Sequence, residues 1–407
     1  MNLSYFISKR ISREQKEGFS SAIHKIAIIS IGIGLGASII SFLVMLGFQE
    51  KVKDKVFGFS GHLMITKFTM SNAPEEQPMN YHIDIYDRQA QFPFIDHVQE
   101  YAHKPGLVKT DNDEVLGVVV KGVGRDYNVQ AFKENMVEGR FIEFPDSTYA
   151  NEVVISRIIS AKIQANVGDD VIIHFFQNPP RFRRLKVTGI YETNLSEYFD
   201  SRVVIADIRM IQRLNDWSDS LAGGLEVFVR DRNQIDDAGY AIGETMDFDL
   251  NIERISDKFS QVFEWLQLLG RQVNILLGII LIVVCVNMIS IVLILVMERT
   301  QMIGMLKALG AHNRFIRSIF IYNGINLIFR GLLLGNIIGL GLCYLQYRFS
   351  IIKLNPHDYY MSFVPIGWHW GVILLLNILT FLVVTVVLLI PTMVIARINP
   401  IKTIRFD

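Results

Sequence analysis

The chain has 407 residues, with 40 Lys+Arg against 40 Asp+Glu, a formal net charge of +0, 50% hydrophobic residues and a mean hydropathy of +0.30. Half apolar and one-fifth charged is too apolar for an ordinary water-soluble chain of this length, and a balanced total excludes a strongly basic nucleic-acid binder and an acidic disordered chain only where the balance is local. The balance is not local: Gln49 to Arg271 holds 25 basic and 35 acidic residues, and the remainder holds 15 and 5.

A helix needs about 20 consecutive apolar residues to cross a bilayer core. Residues 1–25 read as a cytoplasmic tail or interfacial helix, and the uncharged run Ile26–Phe48 follows. That run is too long for a signal-peptide core and no small-x-small cleavage site follows it, so it is expected to remain as the first span. Residues 49–271 then form an outer domain, and Val273–Met297 is a second uncharged span. A cytoplasmic segment, 298–317, leads to a third span, 319–347, interrupted by Arg330. An outer loop, 348–369, precedes a fourth span, 370–396, with Pro391 near its end, and residues 397–407 form a tail. The expected fold class is an α-helical integral membrane protein with four transmembrane helices and an α+β extracytoplasmic domain inserted between helices 1 and 2.

Orientation follows from the positive charge on short flanks. Lys9, Arg10, Arg13, Lys16 and Lys25 precede span one; Arg299, Lys307, Arg314 and Arg317 lie between spans two and three; Arg397, Lys402 and Arg405 end the chain. The opposite short loop has only Arg348 and Lys353. Both termini are therefore expected to be cytoplasmic, with 49–271 on the outer side of a bacterial cytoplasmic membrane. The only cysteines, Cys285 and Cys343, fall within spans, so no disulfide framework is expected outside.

In the outer domain, β-like runs recur at His62–Thr66, Val115–Val123, Glu152–Ile155, Val171–Phe176, Leu185–Tyr191, Val203–Ala206 and Leu225–Val229. Helical spacing predicts helices at Phe94–Ala102, Arg157–Ala165 and Ile208–Leu214, and Thr69–Gln77 reads as a loop. At the junctions, Met45, Phe48, Val52, Val56 and Phe59 carry the first span outward, with Lys51, Lys53, Asp54 and Lys55 on a wet face. Ile255, Phe259, Val262, Leu266, Leu269 and Val273 make a 4,3-spaced stripe into the second. These are two membrane-exit helices packed on each other, or a stalk that also transmits movement; periodicity serves both.

Chemistry is sparse. No G-x-x-x-x-G-K-[ST], H-E-x-x-H or G-x-S-x-G occurs, His97 and His103 are isolated, and no carboxylates are paired by spacing. The chain is expected to be no enzyme and to bind no metal, cofactor or nucleic acid itself. Arg330 either snorkels to an interface or serves a gate. Gly32 and Gly36 in span one, with Gly331, Gly335 and Gly339 in span three, are candidate close-packing positions.

Between spans two and three, Met302, Ile303, Leu306 and Leu309 recur at helical spacing and Gly310 supplies a stop. Such a helix lies on lipid or docks into a partner's groove. Its sequence, Glu298-Arg299-Thr300 then Ile303-Gly304, Leu306 and Lys307-Ala308-Leu309-Gly310-Ala311, closely resembles the segment after the second helix of ABC-transporter permeases of the FtsX/MacB-like superfamily. The ending Ala396-Arg397-Ile398-Asn399-Pro400-Ile401-Lys402 and the pattern of Gly139–Val229 resemble the same group. Met45-Leu46-Gly47-Phe48-Gln49, Phe57-Gly58-Phe59-Ser60-Gly61-His62, and Asp358-Tyr359-Tyr360 before Val364-Pro365 are most similar to the lipoprotein-releasing transmembrane subunits (LolC/LolE type).

The resemblance implies a non-catalytic permease subunit. A cytoplasmic ABC ATPase, which carries the ATP and Mg, would bind Glu298–Ala311, and a second permease, identical or distinct, would complete the pair. An acylated lipoprotein would enter a cavity between helices 1 and 2, at positions including Met45, Phe48, Phe263, Leu266 and Leu269. It would then be passed to a periplasmic carrier. One subunit type in that family carries a long hairpin that hooks the carrier; here that place is only Gln177 to Arg184, with Pro179, Pro180, Arg181 and Phe182 as a candidate partner tip. The alternatives are a MacB-like efflux or FtsX-like cell-wall-hydrolase-regulating permease and, from another class, a membrane-tethered sensory module without an ATPase.

Overall fold

A computed structural model describes residues 19–69, 76–109, 115–146, 148–195, 199–355 and 359–393. Most of the N-terminal tail, the C-terminal tail with Ala396–Lys402, much of the Thr69–Gln77 loop and Asp358 lie outside the described residues. The described chain divides into a helical unit (19–50, 265–353 and 363–393) and a sheet unit (within 51–264 and 354–362).

The long helices are α1 (Phe19–Ser60), α5 (Ser260–Glu298), α7 (Asn313–Phe349) and α8 (Trp370–Val387). Shorter helices of two or more turns are α2 (Arg157–Ile163), α3 (Ile208–Leu214), α4 (Ile235–Gly243) and α6 (Thr300–Ala308). Among the described residues four helices are long and apolar enough to cross a membrane, with mean hydropathies of 2.3, 3.3, 1.7 and 3.0 over their most apolar windows. α8 stops at Val387 and resumes for one turn at Leu389–Thr392. Pro391 explains the break: it has no N–H for the carbonyl four residues earlier, that of Val387.

In the helical unit, Ile31, Leu35, Ile39 and Leu43 of α1 share one core with Val284, Met288 and Val292 of α5, Ile328 of α7 and Leu376 of α8. Glycines set the α1–α7 approach. A Cβ on Gly335 would stand 2.9 Å from the Gly32 carbonyl, one on Gly36 3.3 Å from the Gly335 carbonyl, and one on Gly339 3.1 Å from Gly36 Cα. A Cβ on Gly331 would meet Ile31 at 2.7 Å. Lipid gives helices no hydrophobic reason to associate, so this backbone proximity and its dispersion energy hold them. Asn336 and Asn377 add a reciprocal amide pair between α7 and α8, at 2.7 and 3.1 Å. Gly335→Leu is expected to force α1 and α7 apart at about 1–3 kcal/mol. Thermal unfolding in micelles should show the loss, whereas Gly341→Leu, with nothing within 4 Å of its Cβ position, should leave the transition in place. Equal transitions for the two variants would refute this packing.

The strands of the sheet unit are β1 (Leu63–Lys67), β2 (Met79–Asn80), β3 (Ile95–Lys109), β4 (Val115–Val123), β5 (Met136–Gly139) and β6 (Glu152–Ser156). They continue as β7 (Asp170–Phe175), β8 (Arg181–Tyr191), β9 (Val203–Asp207), β10 (Leu221–Ala222), β11 (Gly224–Val229) and β12 (Leu250–Arg254). Ten form one mixed sheet in the order β12-β1-β11-β3-β4-β9-β6-β8-β5, with β7 pairing both β3 and β8. That last pairing closes a circuit of β3, β4, β9, β6, β8 and β7 around Val108, Val120, Ile155, Ile173, Leu185 and Val204. Among the described residues only β4–β9 and β6–β8 are parallel. β2 and β10 form a separate ribbon. α2 and α3 begin at side-chain caps: Ser156 Oγ accepts from Ile159 N at 3.0 Å, and Asp207 Oδ1 accepts from Arg209 N at 2.9 Å.

The helix expected at Phe94–Ala102 is strand β3. Ile95, Val98 and Ala102 fall at helical spacing because β3 is central and buried on both faces. Its polar residues are satisfied internally, Gln99 by Glu226 and Glu100 by Tyr86. The expected stripe into the second span also breaks: a single turn, Ile255–Lys258, ends at Phe259 before α5 starts.

Candidate functional site

Glu298 ends α5 and is exposed, and half-buried Arg299 leads into α6. α6 closes on Gly310 in a left-handed conformation, φ +86°. Ala311 N–H reaches the Leu306 carbonyl at 2.9 Å and Gly310 N–H that of Lys307 at 3.0 Å, a pairing that needs a residue free to take positive φ. Ile303 and Gly304 are buried, with Ile303 in the core that contains Ile316 and Phe320 of α7; Met302 and Leu306 pack beside it and Lys307 is half-buried. Met305 (57% exposed), Ala308 and Leu309 (85%) face away. The four-residue stripe read from the sequence therefore splits. Leu309 falls beyond the last helical residue, on the cap, and the turn carries it off the Ile303 face.

At the opposite ends of α1 and α5 in the helical unit, Phe48 meets Trp265 edge-on at 5.6 Å between centroids. Gln49 Nε2 donates to the Leu266 carbonyl at 2.7 Å. Gly270 leaves room for this: its Cβ position lies 3.2 Å from Gln49 Nε2 and 3.7 Å from Met45 Sδ. Leu266 is buried, while Met45, Phe48 and Leu269 are half-buried. Gly367 N–H donates to the Leu43 carbonyl at 2.9 Å, and His369 Nε2 lies 2.6 Å from Glu50 Oε1. Phe263 belongs to the sheet unit, where its ring lies 5.5 Å from that of Phe57.

The hairpin is tighter than the sequence suggested. β8 starts at Arg181, so the connection is Phe176–Pro180, and Arg181 to Arg184 are strand residues. Arg181 is engaged, donating to the Leu214 carbonyl at 2.9 Å and pairing with Asp216 at 3.1 Å. Pro179, Pro180 and Phe182 are exposed.

One polar cluster was not anticipated. Lys121 of β4 and Glu226 of β11 are each 1% exposed and pair at 2.7 Å. Lys121 Nζ also donates to the Phe59 carbonyl at 2.6 Å and lies 4.7 Å from the Phe59 ring centroid. Gln99 Nε2 donates to the other Glu226 oxygen at 2.8 Å. Burial pushes the Lys121 ammonium below its ordinary range, and the Glu226 carboxylate opposes that shift. The Phe59 carbonyl is among those a helix C-terminus leaves without an intrahelical donor, so Lys121 caps α1 from within the sheet. A lysine inside the apolar run Val118–Val123 was the only local signal.

Among the described residues no group of three or more His, Cys, Asp or Glu is placed to hold a metal ion.

The MacB-like periplasmic core domain profile matches residues 26–244, and the FtsX-like permease C-terminal profile matches 274–400. The chain is 24% identical to the lipoprotein-releasing system transmembrane protein LolE of Haemophilus influenzae, over 91% of each chain. It is 24% identical to LolC of the same organism, over 100% of this chain and 99% of that one. LolC of Neisseria meningitidis serogroup B is 21% identical over 100% of both. Among solved structures, the periplasmic region of MacB from Actinobacillus actinomycetemcomitans aligns with 53% of this chain and 98% of its own, at 16% identity and a TM-score of 0.36.

Proposed function

The chain belongs to the family defined by the MacB-like periplasmic core domain, with an FtsX-like permease C-terminal region, and from that premise we propose that it is the transmembrane subunit of an ATP-driven machine that extracts acylated lipoproteins from the outer leaflet of the bacterial inner membrane. The observation that carries the coupling role is the outward face of α6. Met305, Ala308 and Leu309 are held in the open by a buried inner face and a glycine cap. An exposed apolar knob on a rigid base fits the groove of a cytoplasmic ATPase. ATP and Mg reside on that partner, and nucleotide-driven closure pulls on α6 and so on the end of α5. A second permease, identical or distinct, completes the assembly; both termini face the cytoplasm and the sheet unit faces the periplasm.

The similarity to lipoprotein-releasing system transmembrane proteins supports the lipoprotein assignment. Met45, Phe48, Leu266 and Leu269 supply an apolar contact at the outer ends of α1 and α5, where acyl chains could replace side-chain packing. Phe263 is the fifth candidate. In this reading Gln49–Leu266 must part for the substrate to enter. The short hairpin offers exposed Pro179, Pro180 and Phe182 to a periplasmic carrier, but Arg181 serves the fold. A photo-reactive residue at Met45 or Phe48 is expected to capture acylated lipoprotein during ATP turnover. Turnover without any acylated adduct would overturn lipoprotein extraction and favour an efflux or hydrolase-regulating machine. Absence of an associated ATPase would favour a tethered sensory module.

A further inference from the structure

Lys55 stands in a charged stretch of α1 that reads as a solvated face, but its ammonium is turned into the sheet unit. Nζ donates to the Thr193 carbonyl at 2.6 Å and to the Tyr360 carbonyl at 2.7 Å. Its neighbours Lys51 and Asp54 behave differently: Lys51 is exposed, and Asp54 pairs with Arg232 at 2.5 Å. The two carbonyls belong to segments far apart in sequence, the turn after β8 and the middle of the connection between α7 and α8. The described residues of that connection, 354–355 and 359–362, group with the sheet unit.

The turn that presents Thr193 is itself fixed. Asp200, 1% exposed, accepts from Thr193 Oγ1 at 2.7 Å, from Thr193 N at 3.1 Å and from Asn194 N at 2.9 Å. Tyr360 presents its carbonyl from a left-handed backbone, φ 59°. An ammonium carries three donors on a flexible stem and can serve two carbonyls at once. Burial pushes the Lys55 ammonium down to about 8; Asp200 and Glu192 oppose that shift and Lys51 adds to it.

We propose that Lys55 is the positioning residue that clamps the α7–α8 outer connection and the Thr193–Asp200 turn to the same stretch of α1, so that these three segments move together during transport. The movement it transmits rests on the proposed permease function; the clamp rests on the geometry alone.

The test uses the full chain with its ATPase in lipid nanodiscs, comparing wild type, Lys55→Met, Lys55→Arg and Lys53→Met. Hydrogen exchange of 192–195 and of 359–362 is expected to rise about tenfold or more in Lys55→Met, the effect of losing charge-assisted hydrogen bonds. Lys55→Arg and Lys53→Met should stay near wild type. Lipoprotein released per ATP hydrolysed is expected to fall about tenfold in Lys55→Met while the ATPase rate holds. Unchanged exchange in either segment would overturn the clamp. Raised exchange with unchanged release per ATP would overturn the coupling role and leave a purely structural contact. If the wild-type chain shows no ATPase-driven release, the permease reading itself fails. The exchange arm then still decides whether Lys55 joins the three segments.

Discussion

Leu309→Asp is expected to uncouple the chain from its ATPase while leaving the fold intact. Leu309 is 85% exposed on a capped helix end, so the variant disturbs no internal packing. In the proposed complex it is an anchor, and removing an interface anchor costs about 2 kcal/mol or more, a weakening of about 30-fold. A carboxylate driven into an apolar groove adds a desolvation penalty. Co-purification and the permease-dependent part of the ATPase rate should both be lost, with thermal unfolding of the free chain unchanged. Ile303→Ala should do the reverse: it opens a cavity in the helical core, at about 2–5 kcal/mol, and lowers the unfolding temperature. Full ATPase association by Leu309→Asp would sink the docking assignment.

Lys121→Met is expected to give a large loss of stability in the sheet unit. It strands the Glu226 carboxylate, 1% exposed, with only the Gln99 amide, and it leaves the Phe59 carbonyl without its cap. Removing one partner of a buried pair costs about 3–5 kcal/mol. For a domain of this size that corresponds to about 10 °C in unfolding temperature. The paired variant Lys121→Met with Glu226→Leu should recover much of the loss, because two apolar side chains leave no buried charge uncompensated. Equal destabilisation by the single and paired variants would show that packing around Lys121, and not the orphaned carboxylate, sets the effect.

Legibility followed the range of the interaction. The helix at Arg157–Ile163 and the strand Val115–Val123 were readable, because each rests on local spacing and, for the helix, a Ser156 cap. The helix expected at Phe94–Ala102 is a strand instead, because residues 98–102 are buried on both faces and lose the alternation that would mark it. In the segment between α5 and α7, Gly310 marked the stop. The opposite exposures of Ile303 and Leu309 depended on where the last turn ended and on what α7 placed beside it. Lys55 reads as one of four charged residues on a wet face, yet the unit turns it inward to two carbonyls.

By itself the sequence determined four long apolar helices and a uniquely polar stretch between the first two. Hydropathy summed over about 20 residues is a property of the segment and needs no partner. It also determined the unequal charge of the two parts and the glycine spacing on α1 and α7. Only the tertiary structure decided that β7 closes a circuit by pairing β3 and β8, that Lys121 meets Glu226 and the end of α1, and that Lys55 joins two distant turns. Each of these brings together groups tens to hundreds of residues apart. Their energies come from burial and donor–acceptor geometry that exist only once the chain has folded.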